Sequence, residues 1–201
     1  MNLDEYNVIV LPEGGYTAAL GTAGMNRLRD WVRGGGALIT MGSSVSLLEH
    51  KEMGLRATAE EAKKDAPKLE AADTALTAGG GFPFVSPSAK GNSEAESVPG
   101  AIARAALDRT HWLAWGYDRD QIAVPVPGSF LKPSKGGENV VVFTDKSPVI
   151  SGFTWPGNTE KFLPGSVWAS VERARRGSVV ADAARPLARS VGGRAAMLYA
   201  S

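Results

Sequence analysis

The residues with the clearest capacity for chemistry lie in the segment GGGALITMGSSVSLL, which spans residues 34–48. Its order of glycines, an apolar run, a further glycine and serines predicts a buried strand, a sharp bend and the start of a helix. In many α/β enzymes this bend carries a nucleophile, because backbone N–H groups at the start of the helix stabilise an oxyanion. Here the strand ends in Met41, which cannot attack a carbonyl, and Gly42 follows it.

The hydroxyls of Ser43 and Ser44 are the available nucleophiles at this bend. The sequence GSSVS differs from the G-x-S-x-G pattern of serine hydrolases. Serine is also a preferred N-cap of helices, and capping is the role that we predict for both residues. Under this interpretation Met41, Gly42, Ser43 and Ser44 form a vestigial elbow with no catalytic residue. The elbow would bury Met41, and a pocket there would make the chain a small-ligand binding module.

A serine nucleophile would also need a base, and the chain has two histidines. His50 follows Ser43 by about two helical turns and should point away from the start of the helix. His111 lies in DRTHWLAWGY, and we interpret it as part of a packed aromatic turn. The alternative is a serine hydrolase in which His111, oriented by Asp108, activates Ser43 or Ser44.

Metal and cofactor chemistry have little support in the sequence. The chain has no cysteine, which excludes disulfides, thiolate catalysis and cysteine-ligated metals. The histidines do not have the H-E-x-x-H spacing of a zinc site. The glycine turns LPEGGY and RGGGA match neither a dinucleotide fingerprint nor a P-loop. We therefore predict no metal and no cofactor.

Charge and hydropathy limit the classes of partner. The 22 basic and 21 acidic residues give a net charge of +1, which favours neither nucleic acid nor an anionic membrane as a partner. No apolar run approaches the roughly 20 residues of a membrane span. The composition predicts a soluble domain and does not indicate its compartment.

The first elements should form a βαβ unit. The apolar run at 6–12 predicts a strand that is covered on both faces, as in a parallel sheet. An apolar stripe predicts a helix over 22–36, and residues 37–41 predict a second buried strand. A second helix should occupy 43–54 and carry the elbow at its start.

The remaining chain divides into an insertion and a second group of strands. Residues 56–98 are rich in Ala, Glu, Lys, Gly, Ser and Pro, so we expect a flexible insertion. We then expect strands at 100–108, at 122–128, at 139–145, and as a hairpin within 165–181, followed by a terminal helix. Most of the five tryptophans should fill the core, while Trp155 should be exposed on a loop.

The order of YNVIVLPEGG, a helix and GGGALITMGSSVSLL resembles the class I glutamine amidotransferase-like superfamily. In that superfamily the second strand ends in an I-C-x-G elbow, and Met41 falls on the cysteine and Ser43 on the glycine. The superfamily's histidine near the C-terminus has no counterpart, since no histidine follows His111. The resemblance implies a three-layer α/β domain over 1–201, with a mainly parallel, flavodoxin-like sheet and an antiparallel extension.

A second resemblance covers more of the chain. The joint order of LDRTHWLAWGYD, GENVVVFTD and SGFTWPGN is similar to the domain that follows the catalytic domain in large bacterial zinc-carboxypeptidase-like proteins. In those proteins the zinc ligands and the catalytic glutamate lie upstream. The resemblance thus implies a non-catalytic accessory domain that supports the peptidase domain or binds substrate, from a family that is secreted or periplasmic.

The same resemblance bears on the start of the chain and on its partners. It implies that a strand and a helix precede YNVIVLP. The upstream peptidase domain would be the main partner. The sheet edge left exposed would allow a homodimer to form.

Overall fold

The structure, a computed structural model, describes residues 2–58, 98, 100–128, 130–144, 148–155 and 157–183. Within these residues the chain forms a mixed sheet of eight strands. Its first half comprises β1 Val8–Leu11, α1 Thr17–Gly34, β2 Ala37–Met41, a 3₁₀ turn Gly42–Val45, α2 Ser46–Glu49 and β3 Gly100–Leu107. Its second half comprises a 3₁₀ turn Trp112–Ala114, β4 Gln121–Pro125, β5 Glu138–Val142, β6 Val149–Phe153, α3 Thr159–Phe162, β7 Val167–Ala174 and β8 Gly177–Asp182.

The sheet is parallel at one end and antiparallel elsewhere. The strand order is β1-β2-β8-β7-β5-β3-β4, and β6 pairs with the same side of β3 as β5. Only β1 with β2 and β2 with β8 are parallel among the described pairs. The prediction of a mainly parallel sheet is therefore wrong. A two-residue turn joins β7 to β8, and so short a connection can only join antiparallel strands.

Helix α1 covers one face of the parallel end. Its buried stripe of Met25, Leu28 and Val32 confirms the predicted periodicity. The helix begins at Thr17 rather than at residue 22, but Gly21 has a φ of 58° and interrupts its geometry. Strand residues Leu38 and Val179 pack beneath the stripe. Within the described residues the other face of this end carries no helical layer, so the third layer expected there is not observed.

The second helix is much shorter than the predicted span of 43–54. Residues Gly42–Val45 form a 3₁₀ turn, and α2 ends at Glu49. His50 has extended backbone angles, and Gly54 has a φ of 52°, so the chain leaves helical geometry before the predicted end. None of the helices in the described part of the chain is long and apolar enough to cross a membrane.

A second core lies among the antiparallel strands. Its largest buried side chains are Leu107, Phe143, Leu163 and Trp168. Trp168 donates from Nε1 to the Pro125 carbonyl at 3.1 Å, which satisfies its polar atom inside the core.

Two of the four tryptophans that were expected in the core, Trp112 and Trp115, are exposed instead. Trp112, Trp115 and Trp155 are 48%, 79% and 38% exposed. Trp155 was predicted to be exposed, and its ring packs edge-on against Phe153 at a centroid distance of 4.9 Å. Phe153 ends β6, a strand that the sequence patterns do not predict.

The two ends of the predicted insertion are ordered parts of the domain. Arg56, Thr58 and Val98 are buried, and Thr58 bridges to Ser134. The flexibility of the insertion stays a prediction. The rest of the insertion, residues 59–97, and the predicted terminal helix after residue 183 lie outside the described residues.

Arg175 is the residue whose backbone conformation is least suited to its side chain. It is the first residue of the turn between β7 and β8 and has a φ of 57°, where glycine is favoured. We predict that Arg175→Gly raises the free energy of unfolding by about 1 kcal/mol, because the strain of a left-handed non-glycine residue is relieved. Urea unfolding measures the change.

Arg176→Gly is the matched control for this prediction. Arg176 follows in the same turn and does not have a positive φ. Glycine there should leave stability unchanged or lower it by about 0.5–1 kcal/mol through backbone entropy. An equal gain in both variants would show that loss of charge in the turn, rather than strain, sets the effect.

Candidate functional site

The elbow at the end of β2 is present in the fold, and Met41 is buried within it. Met41 is 6% exposed, which confirms the prediction of burial. Gly42 has a φ of 58°, which produces the bend directly after the strand. The geometry therefore provides a strand, a bend and a helical turn, with a thioether at the strand end.

Ser44 uses its hydroxyl to hold this bend together. Its Oγ accepts a hydrogen bond from the Met41 N–H at 2.8 Å. The same oxygen lies 3.0 Å from the Leu11 carbonyl and 2.9 Å from the Met41 carbonyl, which share its proton. The side chain is buried at 1% exposure. Ser44 thus ties the end of β1 to the end of β2, whereas the sequence predicted an N-cap at the start of a helix.

Ser43 is exposed beside this bond network. Its carbonyl accepts a hydrogen bond from Ser46 Oγ at 2.8 Å, within the same turn. His50, the nearer histidine in sequence, directly follows α2, and its Nδ1 lies 2.5 Å from Glu52 Oε2. No described hydrogen bond or ion pair joins either histidine to Ser43 or Ser44.

His111 is buried in a separate place, beside partly exposed Glu138, which in turn approaches exposed Arg173. Its Nδ1 accepts a hydrogen bond from the Leu113 N–H at 3.1 Å, so the proton of the neutral ring is on Nε2. Nε2 lies 2.9 Å from Glu138 Oε2, without the alignment of a regular hydrogen bond. Glu138 Oε1 in turn lies 3.3 Å from a guanidinium nitrogen of Arg173. A general base needs a free lone pair on its ring, and the lone pair of Nδ1 already accepts the hydrogen bond from the Leu113 N–H.

Burial lowers the pKa of His111, and this effect outweighs the nearby carboxylates of Glu138 and Asp108, which raise it. Asp108 does not orient the ring as the hydrolase alternative requires. Its carboxylate accepts from the N–H and the hydroxyl of Thr110, at 2.9 and 2.6 Å. Glu138, which the sequence patterns do not single out, occupies that position beside His111.

The elbow and the His111 cluster are far apart in the sheet. Met41 is on β2 and Glu138 on β5, and β8 and β7 lie between these two strands. Three steps between strands correspond to about 14 Å at a spacing of about 4.8 Å. A serine–histidine pair needs contact at about 3 Å. The structure therefore does not bring Ser43 or Ser44 together with His111.

A third polar cluster surrounds Arg56, whose side chain is fully buried. The guanidinium contacts the Glu49 carboxylate and the Lys132 carbonyl, and its Nε lies 3.9 Å from Glu172 Oε1. Burial raises the pKa of Glu172, while the hydrogen bond with Ser134 and the charge of Arg56 act in the opposite direction. The cluster joins α2, a loop and β7, which is a structural role.

Two cavities of the described surface lie toward the amino ends of β2 and β8. The larger, of about 1120 Å³, is a wide depression beside Tyr6, Trp31 and Gly34–Gly36. The smaller, of about 340 Å³, is termed the basic cleft and is lined mainly by Trp112, Glu138, Arg173, Arg175 and Arg176. Residues Met41–Ser44 line neither cavity. The described residues contain no group of three or more His, Asp or Glu placed to hold a metal ion.

Comparisons with known proteins identify no family. No family model matches the chain, and no curated protein matches it. Among solved structures, the cytoplasmic proteins STM3548 from Salmonella typhimurium and STM1381 from Salmonella typhimurium LT2 are each 13% identical, with TM-scores of 0.44 and 0.47. The alignments cover 90% and 96% of this chain, but only 61% and 66% of the Salmonella chains.

A β-galactosidase from Bacillus circulans sp. alkalophilus is similar at the same level. It is 14% identical with a TM-score of 0.43, and the alignment covers 98% of this chain and 23% of the enzyme. Likenesses this distant carry no argument about fold or activity. The candidate sites are therefore judged on their own geometry.

We predict that Ser44→Ala lowers the free energy of unfolding by about 1–3 kcal/mol, because it leaves buried backbone groups of β1 and β2 without their partner. Ser43→Ala is the matched control and should change stability by less than about 0.5 kcal/mol, since this side chain is exposed. Chemical denaturation of the two variants tests the difference. Equal effects would contradict the structural role of Ser44.

The lowered pKa of His111 predicts a pH-dependent stability. The pKa of His111 is lowered in the folded chain and is about 6.5 in the unfolded chain. At pH values between these two pKa values, the unfolded state binds more protons than the folded state. The contribution of neutral His111 to the free energy of unfolding is therefore complete above about pH 6.5, and it is lost as the pH falls toward the pKa of His111 in the folded chain. Unfolding free energies from about pH 8 to about pH 5 should therefore fall less steeply in His111→Gln than in the wild type. Parallel curves would show that His111 does not contribute.

Proposed function

We propose that the chain is a non-catalytic, amidotransferase-like accessory domain of a zinc-carboxypeptidase-like protein. In this role it supports the peptidase domain or binds part of its substrate. The proposal combines the resemblance seen in the sequence with one structural observation, the hydrogen bonding of the Ser44 hydroxyl. The upstream peptidase domain is the partner that the proposal names.

The observation at Ser44 supports a structural elbow. A catalytic serine needs an accessible hydroxyl whose proton can pass to a base. Ser44 is buried, and its oxygen contacts the Met41 N–H and two carbonyls. At the position that corresponds to the amidotransferase cysteine, Met41 supplies a buried thioether. The bend is therefore maintained by contacts that serve the fold.

The finer fold assignment is part of the same proposal. The unit β1-α1-β2 and the elbow after it correspond in order to the start of a flavodoxin-like, amidotransferase-like domain. The antiparallel strands β3 to β7 then form the extension. The described sheet supports this assignment only at its parallel end, where β1, β2 and β8 lie side by side.

The serine hydrolase alternative has less support from the geometry. Ser43 is exposed, but the imidazole of His111 lies about three strand spacings away and its Nδ1 accepts a backbone N–H. The small-ligand alternative placed its pocket at Met41–Ser44, and neither described cavity is lined by these residues.

We predict that the chain gives only background rates with amide, ester and carboxypeptidase substrates, with or without added zinc. Met41→Cys should not create glutaminase activity, because no histidine lies beside the elbow to activate the thiol. Turnover that is abolished in Ser43→Ala and also in His111→Ala would overturn the proposal in favour of the hydrolase. Ser46→Ala, another exposed serine of the same turn, is the matched control.

A further inference from the structure

One face of the parallel end of the sheet is open within the described residues. Backbone pairing places Val8, Ala37 and Ser178 in one row, and Val10, Ile39 and Val180 in the next. Paired residues point to the same side of a sheet, and alternate residues along a strand share a side. These six side chains therefore lie on one face, termed the open face. The residues between them, such as Leu38 and Val179, face α1.

The open face is apolar and exposed where β1 forms the edge. Val8 and Val10 are 52% and 51% exposed, and Ile39 and Val180 are partly exposed. Parallel strands are normally covered on both faces, and a contiguous exposed apolar patch marks an interaction surface. The apolar run at 6–12 also predicts a strand that is covered on both faces. Among the residues that the structure describes, none forms a covering layer on the open face.

A basic margin adjoins this apolar area. On β7, Arg173 pairs with Ser178 and therefore extends the row that begins at Val8. Val171 of the same strand pairs with Val180 and therefore extends the row that begins at Val10. Glu138 on β5 pairs with Val171 and lies in that second row. The basic cleft lies at this margin and has Arg173, Arg175 and Arg176 against the single carboxylate of Glu138. The charge around the cleft is thus clearly positive, although the chain as a whole is close to neutral.

We propose that the open face docks an amphipathic helix of a partner polypeptide, with an apolar stripe on one side and acidic residues along its flank. The apolar stripe would lie on Val8, Val10 and Ile39, and the acidic flank would face the arginines of the basic cleft. Helices are the usual covering layer of a parallel sheet. A helix of about ten residues has a length of about 15 Å, which matches strands of this size.

The charge of the margin argues against two other occupants. A second copy stacked on the open face would bring the same arginines together. Residues 184–201 contain Arg185, Arg189 and Arg194 and no acidic residue, so this segment also lacks a complementary charge. The inference goes beyond the proposed function and does not depend on it. Met41 lies on the same face, one row beyond Ile39, but it is buried, and the proposed contacts are made by the exposed side chains of β1.

Single cysteines can test whether the face is open in the free chain, because the sequence contains no native cysteine. Val10→Cys reports on the open face, and Ser43→Cys is the exposed control at the elbow. We expect a maleimide reagent to label the two thiols at rates within about tenfold of each other. Strong protection of Val10→Cys in the monomer would show that the chain covers its own face, residues 59–97 included, and would overturn the proposal.

A designed helical peptide tests the occupant. The probe carries leucines at i, i+3, i+4 and i+7 with glutamates on the flank, and a second peptide carries lysines in place of the glutamates. We expect the acidic peptide to bind and to protect Val10→Cys but not Ser43→Cys. The lysine peptide should bind at least about fivefold more weakly, because it meets the arginines with like charge.

Variants of the exposed side chains complete the test without affecting the core. Val10→Asp should abolish binding of the acidic peptide, and Arg173→Glu should weaken it about fivefold. Arg119→Glu, an exposed charge reversal outside the cleft, should have no effect. Equal binding of both peptides, binding of neither, or a dimer that Val10→Asp dissociates in sedimentation would each overturn the proposal.

Discussion

The close approach of α1 to the start of β8 is the constraint on which the rest of the fold depends. A Cβ at Gly177 would lie 1.9 Å from the Val32 carbonyl oxygen and 2.5 Å from that of Gly36. A Cβ at Gly36 would lie 2.5 Å from the Trp31 ring. The backbone of α1 can approach β8 only because Gly177 lacks a side chain, and the absence of one at Gly36 leaves room for the Trp31 ring. This contact sets α1 on the sheet and brings its buried stripe over β2 and β8.

Strand β8 joins the two halves of the molecule because of this position. It pairs in parallel with β2 on one side and antiparallel with β7 on the other. Gly177 also closes the turn from β7, where Arg175 has a left-handed conformation. The turn that allows the helix to approach is therefore the turn that carries arginines to the basic cleft. The position of these arginines beside the open face therefore follows from the packing of α1 against β8.

The sequence predicts those features that depend on local periodicity. The stripe of α1, the strand at 37–41 and the hairpin of β7 and β8 are all observed, because each follows from neighbouring residues. Patterns of this kind do not say what covers a strand. The apolar run at 6–12 has the composition of a doubly covered strand, yet Val8 and Val10 are exposed in the described residues.

The polar clusters depend on residues that are distant in sequence, and periodicity does not reveal them. In the serine hydrolase alternative Asp108 orients His111, but Asp108 is held by Thr110, and Glu138 reaches the ring from another strand. Arg56 lies in a segment whose composition indicates an insertion, yet its guanidinium contacts Glu49 and approaches Glu172 inside the domain. A single buried charge is enough to fix such a segment, because leaving it without partners would be costly.

At the elbow, one buried hydroxyl holds the bend together. A bend directly after a buried strand leaves backbone N–H and C=O groups without sheet partners, and these groups must be satisfied. At this bend the hydroxyl of Ser44 bonds the Met41 N–H and reaches the Leu11 carbonyl, so one side chain secures the ends of both β1 and β2. A hydroxyl used in this way cannot also be free to react. The bonding of Ser44 therefore gives the elbow a structural role, because it joins the end of β1 to the end of β2.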